Sequence, residues 1–149
     1  MGSDPSITVD TGEAERVLAA LSKLPRAVRR QVGDAVRQSA QDVAREARAI
    51  LRSGRAKGEP SAPGHAPARQ SGVLARSIRV RRSRRDGLAY SVASEFYGRF
   101  LEIGAERGAK GGRLDPRPFL TLARDRRAET ARARIGAAIR AAFAEVGVA

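Results

Sequence analysis

The sequence predicts an α+β fold, with long N-terminal and C-terminal helices packed on a small antiparallel β-sheet and a long flexible loop between helix and hairpin. Three observations predict it. Apolar residues recur at steps of mostly three and four from Val28 to Leu51, and again from Phe119 to Val146. Between them, Ile78, Val80, Leu88, Tyr90 and Val92 alternate with polar or small residues around Asp86-Gly87. A stretch rich in proline and glycine, 54–72, separates the first pattern from the second.

Met1 to Pro5 resembles a tag remnant, so residues 1–12 are set aside as a tail. Residues 13–146 are read as one domain, followed by a short tail over 147–149. Asp10, Thr11 and Gly12 supply helix-start chemistry ahead of Ala14, Val17, Leu18 and Leu21. Pro25 then resets the chain and suits the first turn of the next helix.

That helix is expected over Arg26–Ser53, closed by Gly54 as a C-terminal cap. Val28, Val32, Val36, Ala40, Val43, Ala47, Ile50 and Leu51 form its apolar stripe. Arg29, Asp34, Arg37, Gln41, Arg45, Arg48 and Arg52 form its polar face. At 1.5 Å per residue it is roughly 40 Å long, more than a compact domain of this size needs. Its end either packs on a neighbour or kinks and frays.

The segment from Gly54 to Gly72 has no large apolar residue and is expected to be mobile in the free protein. In the hairpin, a three-residue loop, Arg85-Asp86-Gly87, pairs Val80 with Val92 and Ile78 with Ser94. A two-residue loop would split the apolar set across both faces. The opposite face then carries Arg79, Arg81 and Arg85. Phe96, Phe100, Leu101 and Ile103 form a short helical segment stopped at Gly104, and 105–117 is a second flexible stretch. Pro116 and Pro118 set up the terminal helix, whose stripe comprises Phe119, Leu122, Ala123, Ala131, Ile135, Ala138, Ile139, Ala142, Phe143 and Val146.

Composition narrows the function. The 149 residues include no cysteine and one histidine, His65, which excludes thiolate metal sites, thiol nucleophiles and iron–sulfur clusters. His65 lies in a Pro/Gly/Ala tract without partners for catalysis, and Gly111-Gly112 is not followed by the Lys-Ser/Thr of a phosphate loop. No apolar run reaches the length of a membrane span. We expect a soluble, cytosolic, non-enzymatic chain without cofactor, metal or small-molecule substrate. The net charge of +13 favours nucleic acid or an acidic protein surface as partner. Of 29 basic residues 26 are arginine, a bias that reflects a GC-rich coding background as readily as selection for phosphate. Tyr90, Phe96, Tyr97 and Phe100 fall within eleven residues, where a core is expected, rather than spaced as stacking platforms. Phe100 and Phe119 are both read as core anchors.

Three fragments carry further information. Gly72-Val73-Leu74-Ala75-Arg76-Ser77-Ile78 fits G-x-L-x-x-S-I leading into a strand, and Tyr97 to Gly104 fits Y-x-x-F-L-E-x-G. Arg117-Pro118-Phe119-Leu120-Thr121-Leu122-Ala123 fits R-P-F-L-x-x-A opening a helix. In this order after a long helix, over roughly residues 13–146, they resemble the small head–tail joining proteins of long-tailed bacteriophages, the neck or tail-completion family. The resemblance implies a structural virion protein in a ring, hexameric in the particle, between head connector and tail tube. Its implied partners are further copies of itself and the neighbouring connector and tail proteins, with only weak, non-specific DNA contact. It also implies assembly in the bacterial cytoplasm and residence in a virion, prophage-derived particle or gene transfer agent. Two features depart from the family pattern: Ala105 follows Gly104 where threonine is frequent, and 54–72 is unusually rich in Pro and Ala.

Among the motif residues, Gly72 and Gly104 are turn glycines, while Leu74, Ile78, Tyr97, Phe100, Leu101, Phe119, Leu120 and Ala123 are structural. Pro118 docks the terminal helix. Ser77 either bonds locally at the start of the strand or faces solvent. Glu102, between Leu101 and Ile103, wants a backbone N–H or an arginine, either Arg117 or one from an adjacent subunit; otherwise it is a solvated carboxylate. Arg55, Lys57, Arg69, Arg79, Arg81 and Arg85 are candidate assembly or phosphate contacts. The rival function is a basic nucleic-acid-binding module, since Arg76, Arg79, Arg81, Arg82, Arg84 and Arg85 lie within ten residues on the hairpin.

Overall fold

The computed structural model describes residues 16, 23, 25–54, 61–68, 72–84, 88–106 and 112–145. The N-terminal helical pattern around Val17, Leu18 and Leu21 lies outside them. Helix α1 (Arg26–Ser53) has the bounds its periodicity predicts, burying Val28, Val32, Ala35, Ala44, Ala47, Ile50 and Leu51. Pro25 stands at its N-cap, where its carbonyl accepts the Arg29 N–H at 3.0 Å. Gly54 follows the helix in an extended conformation (φ −61°, ψ 161°), so the left-handed cap expected there is absent. The Ser53 hydroxyl instead donates to the Ile50 carbonyl at 3.0 Å and satisfies one last-turn acceptor.

After α1 come α2 (Val73–Ser77), β1 (Arg79–Arg82), β2 (Tyr90–Ala93) and α3 (Phe96–Ile103). Strands β3 (Ala105–Glu106) and β4 (Arg113–Leu114) then lead to α4 (Leu120–Glu145). In the β1–β2 hairpin Val80 faces Val92, the predicted register. A Ser83 N–H to Ala89 carbonyl bond of 2.8 Å continues it toward the loop, whose residues 85–87 lie outside the described set. Strands β3 and β4 form a two-residue ladder, Ala105 with Leu114 and Glu106 with Arg113, in a stretch expected to be irregular. Two residues per strand are too few for alternation to register.

The 26 residues of α4 explain the length of α1. The two helices lie side by side and antiparallel: Gln31 bonds Glu145 at one end, while Glu46 pairs with Arg126 and Arg127 toward the other. The excess length is matched within the chain, not by a neighbour or a frayed end. Two apolar clusters sit along this pair. The larger joins Ala44, Ala47, Ile50 and Leu51 of α1 with Ala75, Ile78, Phe119 and Ala123. The smaller joins Val28, Val32 and Ala142, with Val36 and Ile139 packed against it. The α4 stripe is otherwise half-buried at Leu122, Ala131, Ile135, Ala138, Ile139 and Phe143, and Val146 lies outside the described residues.

The helices are also tied by charge. The Asp42 Oδ2 is 2.6 Å from Arg134 Nη1, and its Oδ1 meets Arg45. Glu46 accepts from Arg126 Nη1 and Arg127 Nε, each at 3.0 Å. Burial acts to raise the Asp42 carboxyl pKa, but Arg134 and Arg45 outweigh it and hold it below its ordinary value. Bonds from Arg127, then Arg126, hold Glu46 down despite its burial. A folded pKa below the unfolded one gives stability that is full above the unfolded value and fades as pH falls through the folded one. The thermal midpoint should therefore fall as pH drops below about 4.5. In an Asp42→Asn/Glu46→Gln variant, melting curves against pH should show a shallower acid limb. An unchanged slope would remove these carboxylates from the linkage.

Candidate assembly site

The three sequence fragments meet around the loops that join α2, α3 and α4. Gly72, in the left-handed region at φ +73°, turns the chain into α2, and its carbonyl accepts the Arg76 N–H at 3.1 Å. Ser77 is buried: its hydroxyl donates to the Leu74 carbonyl at 2.8 Å and accepts the Glu95 N–H at 3.1 Å. The local bond was among the readings of the sequence, while the bond to Glu95, eighteen residues on, staples α2 to the start of α3. Ile78 is 1% exposed, and its carbonyl accepts Arg48 Nη2 at 2.7 Å. Arg48 thus leaves the solvated face assigned to it and anchors the hairpin to α1. Leu74 and Leu101 are half-buried against the larger cluster.

Glu102 answers its open question with backbone donors. Its Oε2 accepts the N–H groups of Phe119 and Leu120, both at 3.0 Å, and its Oε1 accepts that of Thr121 at 2.7 Å. One carboxylate from α3 therefore caps the first turn of α4 and meets the positive end of that helix. Arg117 is engaged elsewhere: its Nε reaches the Ser61 carbonyl at 3.2 Å and hydroxyl at 2.9 Å. Its N–H donates to the Leu101 carbonyl at 2.6 Å, and the Gly64 N–H donates to the Pro116 carbonyl at 2.8 Å. Within the stretch read as a flexible loop, Ser61 and Pro67 are thereby buried. Glu102→Ala strands three donors and should destabilise the protein by about 2–3 kcal/mol, with Glu102→Gln costing less because one acceptor oxygen remains. Urea unfolding of both variants checks the order; equal stability of Glu102→Ala and the parent would refute the cap.

Gly98 was not singled out in the sequence. It is buried in α3, and a Cβ there would meet Ser94 Oγ at 2.2 Å and Leu74 Cδ1 at 3.1 Å. A lone glycine inside a helical pattern was the available signal.

The aromatic cluster is not core. Phe96 is 78% exposed and Phe100 and Ile103 are each 44% exposed. The Phe96 ring stands edge-on to Tyr97 at 5.9 Å and to Phe100 at 6.2 Å. Tyr97 is half-buried, whereas Phe119 and Ala123 are fully buried, as expected, and Leu120 and Pro118 half-buried beside them. Arg79 and Arg81 are exposed on the outer face of the hairpin, and Arg55, Lys57, Arg69 and Arg85 lie outside the described residues. Among the described residues no group of His, Asp or Glu is placed to hold a metal ion, and no helix is long and apolar enough to cross a membrane. His65 is exposed, its Nδ1 3.2 Å from the Pro63 carbonyl.

Polar side chains here bind one element to the next, and apolar rings stand exposed on the outside of a short helix. The chain matches the HK97-gp10-like family, described as "Bacteriophage HK97-gp10, putative tail-component", over residues 15–104 and belongs to it. It is a phage structural protein of tail-component type. The matched span takes in α1 to α3 and ends on Gly104, so Arg117–Ala123 and α4 lie beyond it. No curated protein and no solved structure matches the chain.

Proposed function

We propose that the protein is a subunit of a ring at the head–tail interface of a long-tailed phage or a phage-derived particle such as a gene transfer agent. Neck, tail-completion and tail-terminator rings share this role, which is structural and asks no catalysis of the chain. Residues 13–146 act as one domain in it, flanked by tails at 1–12 and 147–149. The observation that carries the reading is the outward face of α3, where Phe96, Phe100 and Ile103 present apolar surface to solvent. Burying Phe96 against a neighbouring subunit gains roughly 1.5–3 kcal/mol, with less from the partly covered Phe100 and Ile103, a driving force the isolated chain leaves unused. Against it stands the charge: copies at +13 repel until partners or salt compensate. The ring, hexameric in the particle, therefore closes beside its connector and tail neighbours. The subunit is made in the bacterial cytoplasm and ends in the particle.

Two measurements test this. Light scattering of the purified chain at low salt should show one small species, and a stable, salt-independent hexamer would contradict closure by partners. Phe96→Asp should leave the thermal midpoint nearly unchanged, because Phe96 is so exposed. In particles carrying only that variant, electron microscopy should show separated heads and tails. Normal joined particles would overturn the proposal.

A further inference from the structure

Between the N-terminal half of α1 and the β1–β2 hairpin lies a cleft of about 560 Å³ whose walls are mostly basic. Arg26, Arg29, Arg30 and Arg37 line it from α1, and Arg82 and Tyr90 from the hairpin. The α1 arginines fall on one helix face and extend about 16 Å along the axis. Gly33, in the middle of that face, lets the hairpin approach: a Cβ there would lie 3.3 Å from Cδ2 of Leu88, which is itself buried. Asp34 is the one carboxylate in the lining, 3.5 Å from Arg37. The Nε of Arg29 is enclosed and has no acceptor among the described residues. That N–H is closed to a ligand, but the positive charge of its guanidinium favours an anion in the cleft. The first turn of α1 compounds this, having no acidic residue and no side-chain cap where the helix end is itself positive.

We propose that this cleft binds the phosphate backbone of duplex DNA. Guanidinium groups gathered at a positive helix end oppose folding locally, and a bound polyanion reverses that balance. Successive phosphates of one strand advance about 3.4 Å along the axis while winding around it, so a straight row of about 16 Å meets roughly two or three of them. One carboxylate from a partner could answer only part of such a row. The lining argues against a protein partner as well, because protein interfaces bury apolar cores depleted of charge, whereas DNA interfaces are polar and strongly positive. Tyr90 is the one ring in the lining, too few for the stacked platforms of single-strand binding. The site is separate from the outer hairpin face of Arg79 and Arg81.

Fluorescence anisotropy with a labelled duplex of arbitrary sequence tests it, using two variants that each remove two charges. Arg30→Gln/Arg82→Gln should weaken binding at least tenfold and lower the slope of log K against log salt by about two. Arg79→Gln/Arg81→Gln should change affinity less than threefold. Arg30→Lys/Arg82→Lys, which keeps the charge, should recover most of the loss. A second measurement uses the unaltered chain: duplex DNA should protect Arg29, Arg30 and Arg82 from phenylglyoxal, read by mass spectrometry. Equal losses in the two glutamine variants would assign binding to diffuse charge and overturn the proposal. Equal protection by poly-glutamate at matched charge would overturn it in favour of an acidic protein surface.

Discussion

Replacing Phe119 with alanine is expected to destabilise the protein by about 3–5 kcal/mol and to lower its thermal midpoint by about 10–15 °C. Phe119 is 0% exposed and the largest of the fully buried side chains. It sits immediately ahead of α4, in the cluster that gathers α1, α2, Ile78 and the start of α4. Four of its cluster partners, Ala44, Ala47, Ala75 and Ala123, are alanines. Methyl groups cannot swing inward to fill the space a phenyl ring leaves, so the cavity should persist and the cost should lie high in the usual range. Phe100→Ala serves as the contrast. With Phe100 44% exposed, its loss should cost under about 1 kcal/mol. Denaturant unfolding with unchanged m-values would establish both numbers. A Phe119→Ala midpoint within a few degrees of the parent would mean that the cluster repacks freely.

Gly104→Ala is expected to cost about 3–4 kcal/mol, for two independent reasons. The residue has φ +79° and ψ 173°, a conformation open essentially to glycine alone. A Cβ there would also lie 2.5 Å from the Leu114 carbonyl oxygen and 3.2 Å from Pro116 Cδ. The carbonyl belongs to the β3–β4 ladder and cannot turn aside as a side chain can. Relief would have to come from the backbone on either side, and two residues upstream stands Glu102 with the first turn of α4 in its grasp. The two positions should accordingly be coupled. In a double-mutant cycle, Glu102→Ala/Gly104→Ala should cost less than the sum of its parts by about 1 kcal/mol. Strict additivity would show that the strain at Gly104 is absorbed without disturbing the cap.

Long, regular features were legible in the sequence. The bounds of α1 followed from a stripe sustained over seven turns, and the hairpin register followed from the need to keep Ile78, Val80, Leu88, Tyr90 and Val92 together. Phe100 shows where such reasoning stops. Spacings of three and four among Phe96, Phe100 and Ile103 mark one face of a helix, but they do not say whether that face meets a core or solvent. Phe119 was legible as core because it precedes a long stripe rather than sitting within a short one. The candidate site was half legible. Backbone N–H groups were among the partners weighed for Glu102, yet only the tertiary fold brings Phe119, Leu120 and Thr121 to it. Arg117 offered a nearer charge in sequence and is occupied by Ser61 instead. Arg48 was misread because its partner is remote in the chain, and the two-residue ladder because it is too short to leave a pattern; at Gly54 the neighbouring Ser53 hydroxyl takes up a last-turn carbonyl instead.

The unequal clusters along α1 and α4 also grade the amide hydrogen exchange of the molecule. Around Ala44, Ala47, Ile50 and Leu51, helix, hairpin and the start of α4 share one apolar mass, so those amides should exchange only when the whole fold opens. At the other end, Val28, Val32 and Ala142, with Val36 and Ile139 against them, form the smaller apolar cluster of the described residues. Amides there should exchange through local opening, at a free energy well below the global one. The arginine cleft is built on this looser end. Polyanion bound there would slow exchange over the first turns of α1 and the last turns of α4 while leaving the centre unchanged. The molecule would thus pair a stiff half with a compliant half that a bound polyanion would make rigid.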